Sequence, residues 1–218
     1  MARVEEPVFS LVVATGNRGK LGELRALLAD LPIEVLGVAE VVTPPHVVED
    51  ADTFAGNARK KARAVAAACR AVTLADDSGL EVDALGGRPG VRSARYAREG
   101  ATDAENNAKL LVELEGVPGE RRTARFRCAL VLVDPWSKDG VTGEVVVEGA
   151  LEGRIATAAR GTSGFGYDPL FLVGDRGRTL AELSEDEKNA CSHRGQALSR
   201  LYPVLAGLAS ARARASRR

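Results

Sequence analysis

The chain has little of what marks several common chemistries. Its two histidines, His46 and His193, give little support to a histidine-rich metal cluster or a Ser-His-Asp triad. Its three cysteines, Cys69, Cys128 and Cys191, are odd in number and far apart, with no CxxC pair. That argues against a disulfide framework or zinc site and fits a reducing, cytoplasmic compartment. The N-terminal apolar piece VFSLVVA follows Glu5 and Glu6, is too short for a membrane span and lacks the basic flank of a signal peptide. Net charge is also missing, with 30 basic and 30 acidic residues in 218. Because Arg212, Arg214, Arg217 and Arg218 sit in a tail without acids, the body of the chain is mildly acidic, and stable nucleic-acid binding is not expected.

What is present is enough apolar residue, 45 %, for one large core or two lobes. Val8 to Ala14 is a β-branched run, followed by TGNRGK and then by Leu21, Leu24, Leu27, Leu28 and Leu31 at helical spacing. This predicts strand, glycine turn, helix. Thr53 is a cap for a second helix, FAGNARKKARAVAAACRA, and AVTLA is a strand expected to end at Asp76 and Asp77. Thr102 with Glu105 is a capping-box pattern before a helix that Gly116 ends. RFRCALVLVD and GEVVVEGALEG read as strands joined through Asp139-Gly140, so the sheet is expected to be mixed. Ser184 and Glu187 open another helix, and the last helix carries Leu198, Leu201, Leu205 and Leu208, with a kink expected at Pro203. The fold class is α/β: a long mixed sheet flanked by helices. Residues 1–210 form one domain, and 211–218 are expected to be a disordered tail.

Five short stretches contain groups suited to chemistry, and each has a plain structural reading as well. TGNRGK, residues 15–20, sets backbone N–H groups and a lysine at a helix N-terminus, which suits phosphate, but it is not a Walker A loop and also reads as an ordinary turn. In DDSG, Asp76 and Asp77 point to opposite sides of a strand, and the residue types fit a turn as well as a site. Glu49, Asp50 and Asp52 precede the second helix, where Asn57 and Lys61 share a face; these are helix-dipole partners or the acids and ammonium of a metal-bound polyphosphate site. GTSGFGYDP, residues 161–169, carries Phe165 and Tyr167 in a chain with 4 % aromatics; such rings can stack on a nucleobase, and one of the two is expected instead to tuck under the sheet. SHRGQAL puts His193 and Arg194 at the start of the last helix, a common surface pattern.

The order of these stretches is more telling than any one of them. TGNRGK, Glu49 before NARKKA, ADDSGLEVDALGGRPGVRSARY, GTSGFGYDPLF and ELSEDEKNACSHRGQAL together closely resemble the inosine triphosphate pyrophosphatase family, over about Val8 to Leu208. The resemblance implies two lobes around a cleft, a homodimer, and Mg²⁺-dependent hydrolysis of non-canonical purine nucleoside triphosphates (ITP, XTP and their deoxy forms) to monophosphate and pyrophosphate. Carried over by position, Thr15, Gly16, Asn17, Arg18, Gly19, Lys20 and Lys61 hold the triphosphate. Glu49 and Asp77 bind Mg²⁺ with Asp76 beside them, Asp77 accepts the proton of the attacking water, and Ser78 contacts substrate. Phe165, Gly166, Tyr167, Asp168, Lys188, His193 and Arg194 form the base pocket. Two departures stand out: Ala51 where many relatives have glycine, and Gly56 where many have glutamate.

The chemistry is physically coherent, since attack at the α-phosphorus needs a base for the water and cations along the leaving pyrophosphate. Alternatives are a pyrophosphatase for modified pyrimidine triphosphates, which would need the same phosphate machinery, and a catalytically silent nucleotide binder.

Overall fold

The computed structural model describes residues 8–137, 143–174 and 177–215. The Asp139-Gly140 turn lies outside them, as do Arg217 and Arg218.

The first unit of alternation is as expected: β1 (Phe9–Val13), a turn, then α1 (Arg18–Leu27). Next comes β2 (Ile33–Gly37), which the sequence does not announce because Glu34 and Gly37 interrupt a short run. Pairing supplies what propensity lacks: β2 lies parallel to β1, and Ser10 donates to Glu34 at 2.7 Å across the pair. A short α2 (Val38–Val41) follows, then α3 (Phe54–Cys69), capped by the Thr53 hydroxyl accepting from the Gly56 N–H. β3 (Val72–Val82) runs parallel to β1, with Val13 opposite Leu74.

β3 corrects one expectation. The strand does not stop at Asp76 and Asp77 but continues five residues beyond them, because buried Leu80 and Val82 extend its apolar face. The acids therefore lie in mid-strand, held at fixed alternating directions by the sheet.

The capping box of Thr102 and Glu105 opens α4 (Asp103–Glu113), with Gly116 in a left-handed conformation just after its end. Arg122, buried, donates to Leu114 O, Val117 O and Ala156 O, so its cation satisfies the C-cap carbonyl of α4 and ties it to the loop beyond and to the end of β5. Then come β4 (Thr123–Val133), β5 (Glu144–Ile155), β6 (Phe171–Val173) and β7 (Arg178–Thr179). Ser184 caps α5 (Glu185–Cys191), and α6 (His193–Ala215) closes the chain, with Pro203 inside it.

The strand order is β2-β1-β3-β4-β5-β6-β7, with β6 antiparallel to both β5 and β7, so the sheet is mixed. The chain divides into two compact units. One comprises Met1–Asp77, Ala129–Val147 and Ala197–Arg218; the other comprises Ser78–Cys128 and Glu148–Gln196. The first has a core of Val12, Val38, Ala58, Ala62, Val65 and Val131, where the alanines let α3 sit close to its neighbours. The second packs Leu80, Leu110, Leu114, Phe126, Phe171 and Leu180, each worth about 1.5–3 kcal/mol when fully buried. No helix among the described residues is long and apolar enough to cross a membrane.

The tail is a second correction. Residues 211–215 continue α6 instead of being disordered. Arg212 reaches both carboxylate oxygens of Asp134, at 3.0 and 3.1 Å, and its guanidinium lies 4.9 Å from the Phe9 ring centre. A composition without an apolar stripe concealed these contacts, since charge and stacking hold the turn in place.

Candidate functional site

In the first unit, two lysines converge on the acids of β3 and the segment before α3. Asn17 caps α1, its Oδ1 accepting from the Lys20 N–H at 3.1 Å, while its own N–H donates to Thr15 Oγ1. This fixes the Thr15–Lys20 turn at a helix start, with Gly16, Arg18 and Gly19 exposed on it. From that turn Lys20 Nζ reaches Asp76 Oδ1 at 2.6 Å, where the carboxylate is wholly buried. Lys61 Nζ lies between Asp77 Oδ1 at 2.8 Å and Glu49 Oε2 at 2.9 Å. Strand alternation explains why neighbouring acids meet different lysines, one from α1 and one from α3.

Asn57, absent from the residues singled out as ligands, completes this group. Fully buried, it donates to Asp77 Oδ2 at 3.4 Å and accepts from the Ala51 N–H at 2.9 Å. Its place one turn before Lys61 was the available signal.

Charge is unequally shared among these acids. Burial pushes the Asp77 carboxyl above its usual range, against the pull of Lys61 and Lys20. For Glu49 burial acts in the same upward sense, but the charge and hydrogen bond of Lys61, together with Asp77 and Lys20, hold the group below its usual range. Burial of Lys61 favours the neutral amine, yet Asp77 and Glu49 keep it charged and raise its pKa. Asp50, by contrast, pairs with Lys60 at the exposed surface.

The two departures in this segment explain each other. A Cβ at Gly56 would lie 2.7 Å from that of Ala51 and 3.0 Å from Thr53 Oγ1. The methyl of Ala51 therefore occupies the space a side chain at 56 would start from, and the turn keeps its hydrogen bonds to Asn57.

In the second unit a different group surrounds Phe165. Asp168 Oδ2 accepts from the Phe165 N–H at 2.9 Å and from Lys188 Nζ at 2.7 Å. Gly164, at φ +78°, has no room for a Cβ against that carboxylate. The half-buried Phe165 ring has Lys188 Nζ 4.7 Å and the Arg194 guanidinium 5.9 Å from its centre. Arg194, 1 % exposed, also donates to Ser78 Oγ at 3.1 Å. His193 stacks on Phe126 at 4.8 Å and 10°, so the start of α6 is anchored in the core and is not surface decoration. Tyr167 is the ring that tucks away: it is 4 % exposed and its hydroxyl donates to Ser93 O at 2.8 Å. Phe165, Gly166, Asp168, Lys188 and Arg194 are thus brought together with Ser78, whereas Tyr167 belongs to the core beneath them.

The Ham1 family profile matches residues 11–204. A dITP/XTP pyrophosphatase of Geobacter sulfurreducens is 53 % identical over 191 residues, spanning 88 % of this chain and 94 % of its own. The dITP/XTP pyrophosphatase of Nitratidesulfovibrio vulgaris is 54 % identical over 201 residues, 89 % of this chain and 95 % of its own. Among solved structures, a HAM1 protein from Coxiella burnetii has a TM-score of 0.80 at 44 % identity, over 90 % of this chain and 98 % of that one.

Proposed function

The chain belongs to the Ham1 family, and we propose that it is a nucleoside triphosphate pyrophosphatase hydrolysing ITP, XTP and their deoxy forms to the monophosphate and pyrophosphate. The observation that carries this reading is the arrangement at Asp77: a buried carboxylate with raised proton affinity, aligned by Asn57 and Lys61. A carboxylate so placed can accept a proton from water.

Mg²⁺ is part of the proposal. Among the described residues no group of three or more His, Cys, Asp or Glu surrounds one point. Mg²⁺ does not need such a cage, because it is commonly held by one or two carboxylates together with substrate phosphates. Glu49 and Asp77 fit that donor set, since both already approach a single cation, Lys61 Nζ, within 3 Å. When bound, the metal would neutralise phosphate charge and lower the pKa of water.

The protein's own groups account for the remaining steps. The N–H groups of the Thr15–Lys20 turn and the ammonium groups of Lys20 and Lys61 take the triphosphate and stabilise charge on the departing pyrophosphate. Asp77 takes the proton of the water attacking the α-phosphorus. Phe165 stacks on the purine, with Lys188 and Arg194 as donors beside it. Those donors favour a 6-oxo purine, because the amino group of adenine would leave donor facing donor, at about 1–3 kcal/mol.

Assay of pyrophosphate release from XTP, ITP, ATP, GTP and a pyrimidine triphosphate, with and without Mg²⁺, tests the reading. Preference for XTP and ITP with Mg²⁺ supports it; equal or absent turnover contradicts it. A cytoplasmic homodimer is proposed as the working form, and light scattering of the purified enzyme tests the dimer.

A further inference from the structure

Phe165 lies in a loop with three glycines in left-handed conformations, Gly161, Gly164 and Gly166, where the backbone has unusual freedom. A ring that must meet a purine face needs that freedom removed. We infer that Asp103 and Asn107 of α4 are positioning residues that hold Phe165 for stacking, by clamping both polar groups of Gly166.

The clamp acts on a single residue. The Gly166 N–H donates to Asp103 Oδ2 at 2.7 Å, and the Gly166 carbonyl accepts from Asn107 Nδ2 at 2.9 Å. Asp103 and Asn107 are four residues apart on α4, so they present their groups from the same helix face. With the Phe165 N–H held by Asp168, the backbone is tied on both sides of the ring.

The cap of α4 depends on neither residue. Thr102 already caps α4, accepting from the Glu105 N–H, and the Glu105 carboxylate receives the Thr102 N–H. The Asp103 carboxylate is therefore available to Gly166. Asn107 is more telling: its Oδ1 is buried without a hydrogen-bond partner. An orphaned acceptor is unfavourable, and an apolar side chain of similar size would avoid it. Turning the amide over would set Oδ1 against the Gly166 carbonyl, acceptor to acceptor, so the orientation is dictated by the clamp. What asparagine supplies here is the donor that holds Gly166. The bar that carries the clamp is firm, because Leu110 and Leu114 anchor it in the core and Arg122 binds the C-cap carbonyl of Leu114.

The inference rests on the pyrophosphatase reading, so the test separates the two. Steady-state kinetics with ITP, competitive inhibition by inorganic tripolyphosphate, and Tm are measured for wild type, Asn107→Asp, Asn107→Leu, Asp103→Ala and Asp103→Asn. Asn107→Asp keeps the shape but turns the donor into an acceptor facing the Gly166 carbonyl. It and Asp103→Ala should raise KM for ITP about tenfold, with kcat within about twofold, as expected for lost uniform binding. The tripolyphosphate Ki should not change, because that inhibitor has no base to stack. Asp103→Asn, which keeps an acceptor oxygen, should recover most of the KM. Asn107→Leu, which cannot donate, should likewise raise KM with the tripolyphosphate Ki unchanged, a split that a structural role would not produce.

Unchanged KM in folded Asn107→Asp and Asn107→Leu overturns the clamp. So does a parallel rise in KM and tripolyphosphate Ki, which would mean a general disturbance. Wild-type enzyme releasing no pyrophosphate from ITP would instead overturn the pyrophosphatase reading, and the clamp with it.

Discussion

Lys61 Nζ stands 2.8 Å from Asp77 Oδ1, on a side chain that also reaches Glu49. The two partners come from consecutive elements, α3 and the middle of β3, and both side chains are largely buried, 15 % and 11 % exposed. A lysine held there keeps one acid ionised while burial raises the proton affinity of the other. Asp77 is thereby distinguished from Asp76, whose carboxylate is taken by Lys20.

Asp77→Asn preserves the shape and the contact with Lys61 but removes the base. Turnover of ITP should fall by a factor of about 10² to 10⁴, while ITP binding measured by calorimetry persists. A variant with near-normal turnover would place the base elsewhere.

The pairing of Ala51 with Gly56 gives a prediction against helix propensity. Alanine at a helical position ordinarily gains up to about 1 kcal/mol over glycine. Gly56→Ala should nonetheless lower stability by about 1–3 kcal/mol, since its Cβ meets Ala51 and the Thr53 hydroxyl. Adding Ala51→Gly to that variant should restore part of the loss. Denaturant titration of the single and double variants reads the coupling, and strict additivity would disprove it.

Much of this was legible in the sequence, but unevenly. The capping boxes at Thr102 and Ser184 are fixed by local chemistry and appear where the spacing places them. The mixed sheet follows from paired β-branched runs late in the chain. β2 was not legible, because its stability comes from pairing with β1 and not from its own residues. The end of β3 was misread because Asp, Asp, Ser and Gly favour turns locally, whereas burial of Leu80 and Val82 decides the outcome. The lysines and acids of the first unit were legible as types; which lysine meets which acid depends on strand alternation and helix placement. Asn107 was invisible, since a lone asparagine on a helix carries no signal until its partner loop is in place.

Glu105 should contribute a small part of the acid sensitivity. The Thr102 N–H, Arg98 and the Thr102 hydroxyl hold its carboxyl down at about 2. A depressed folded-state pKa contributes stability above the unfolded value near 4.5, lost as pH falls toward 2. Glu105→Gln keeps the capping geometry without the charge, so its Tm should lie below wild type at pH 7 and converge with it near pH 2. A constant gap across that range would show that the charge is not responsible.

The helical end of the chain should contribute measurably to stability. Arg212→Ala removes the Asp134 contacts and the stacking on Phe9, at a cost of about 1 kcal/mol. Arg214→Ala, exposed on the same turn, should stay within about 0.5 kcal/mol of wild type. Equal effects in thermal unfolding would contradict the assigned packing.

The position of attack is tested most directly by hydrolysing ITP in ¹⁸O-water and locating the label by mass spectrometry. Activation of water by Asp77 toward the α-phosphorus puts ¹⁸O in the monophosphate and leaves pyrophosphate unlabelled. Label in pyrophosphate, or release of inorganic phosphate with a diphosphate product, would contradict it.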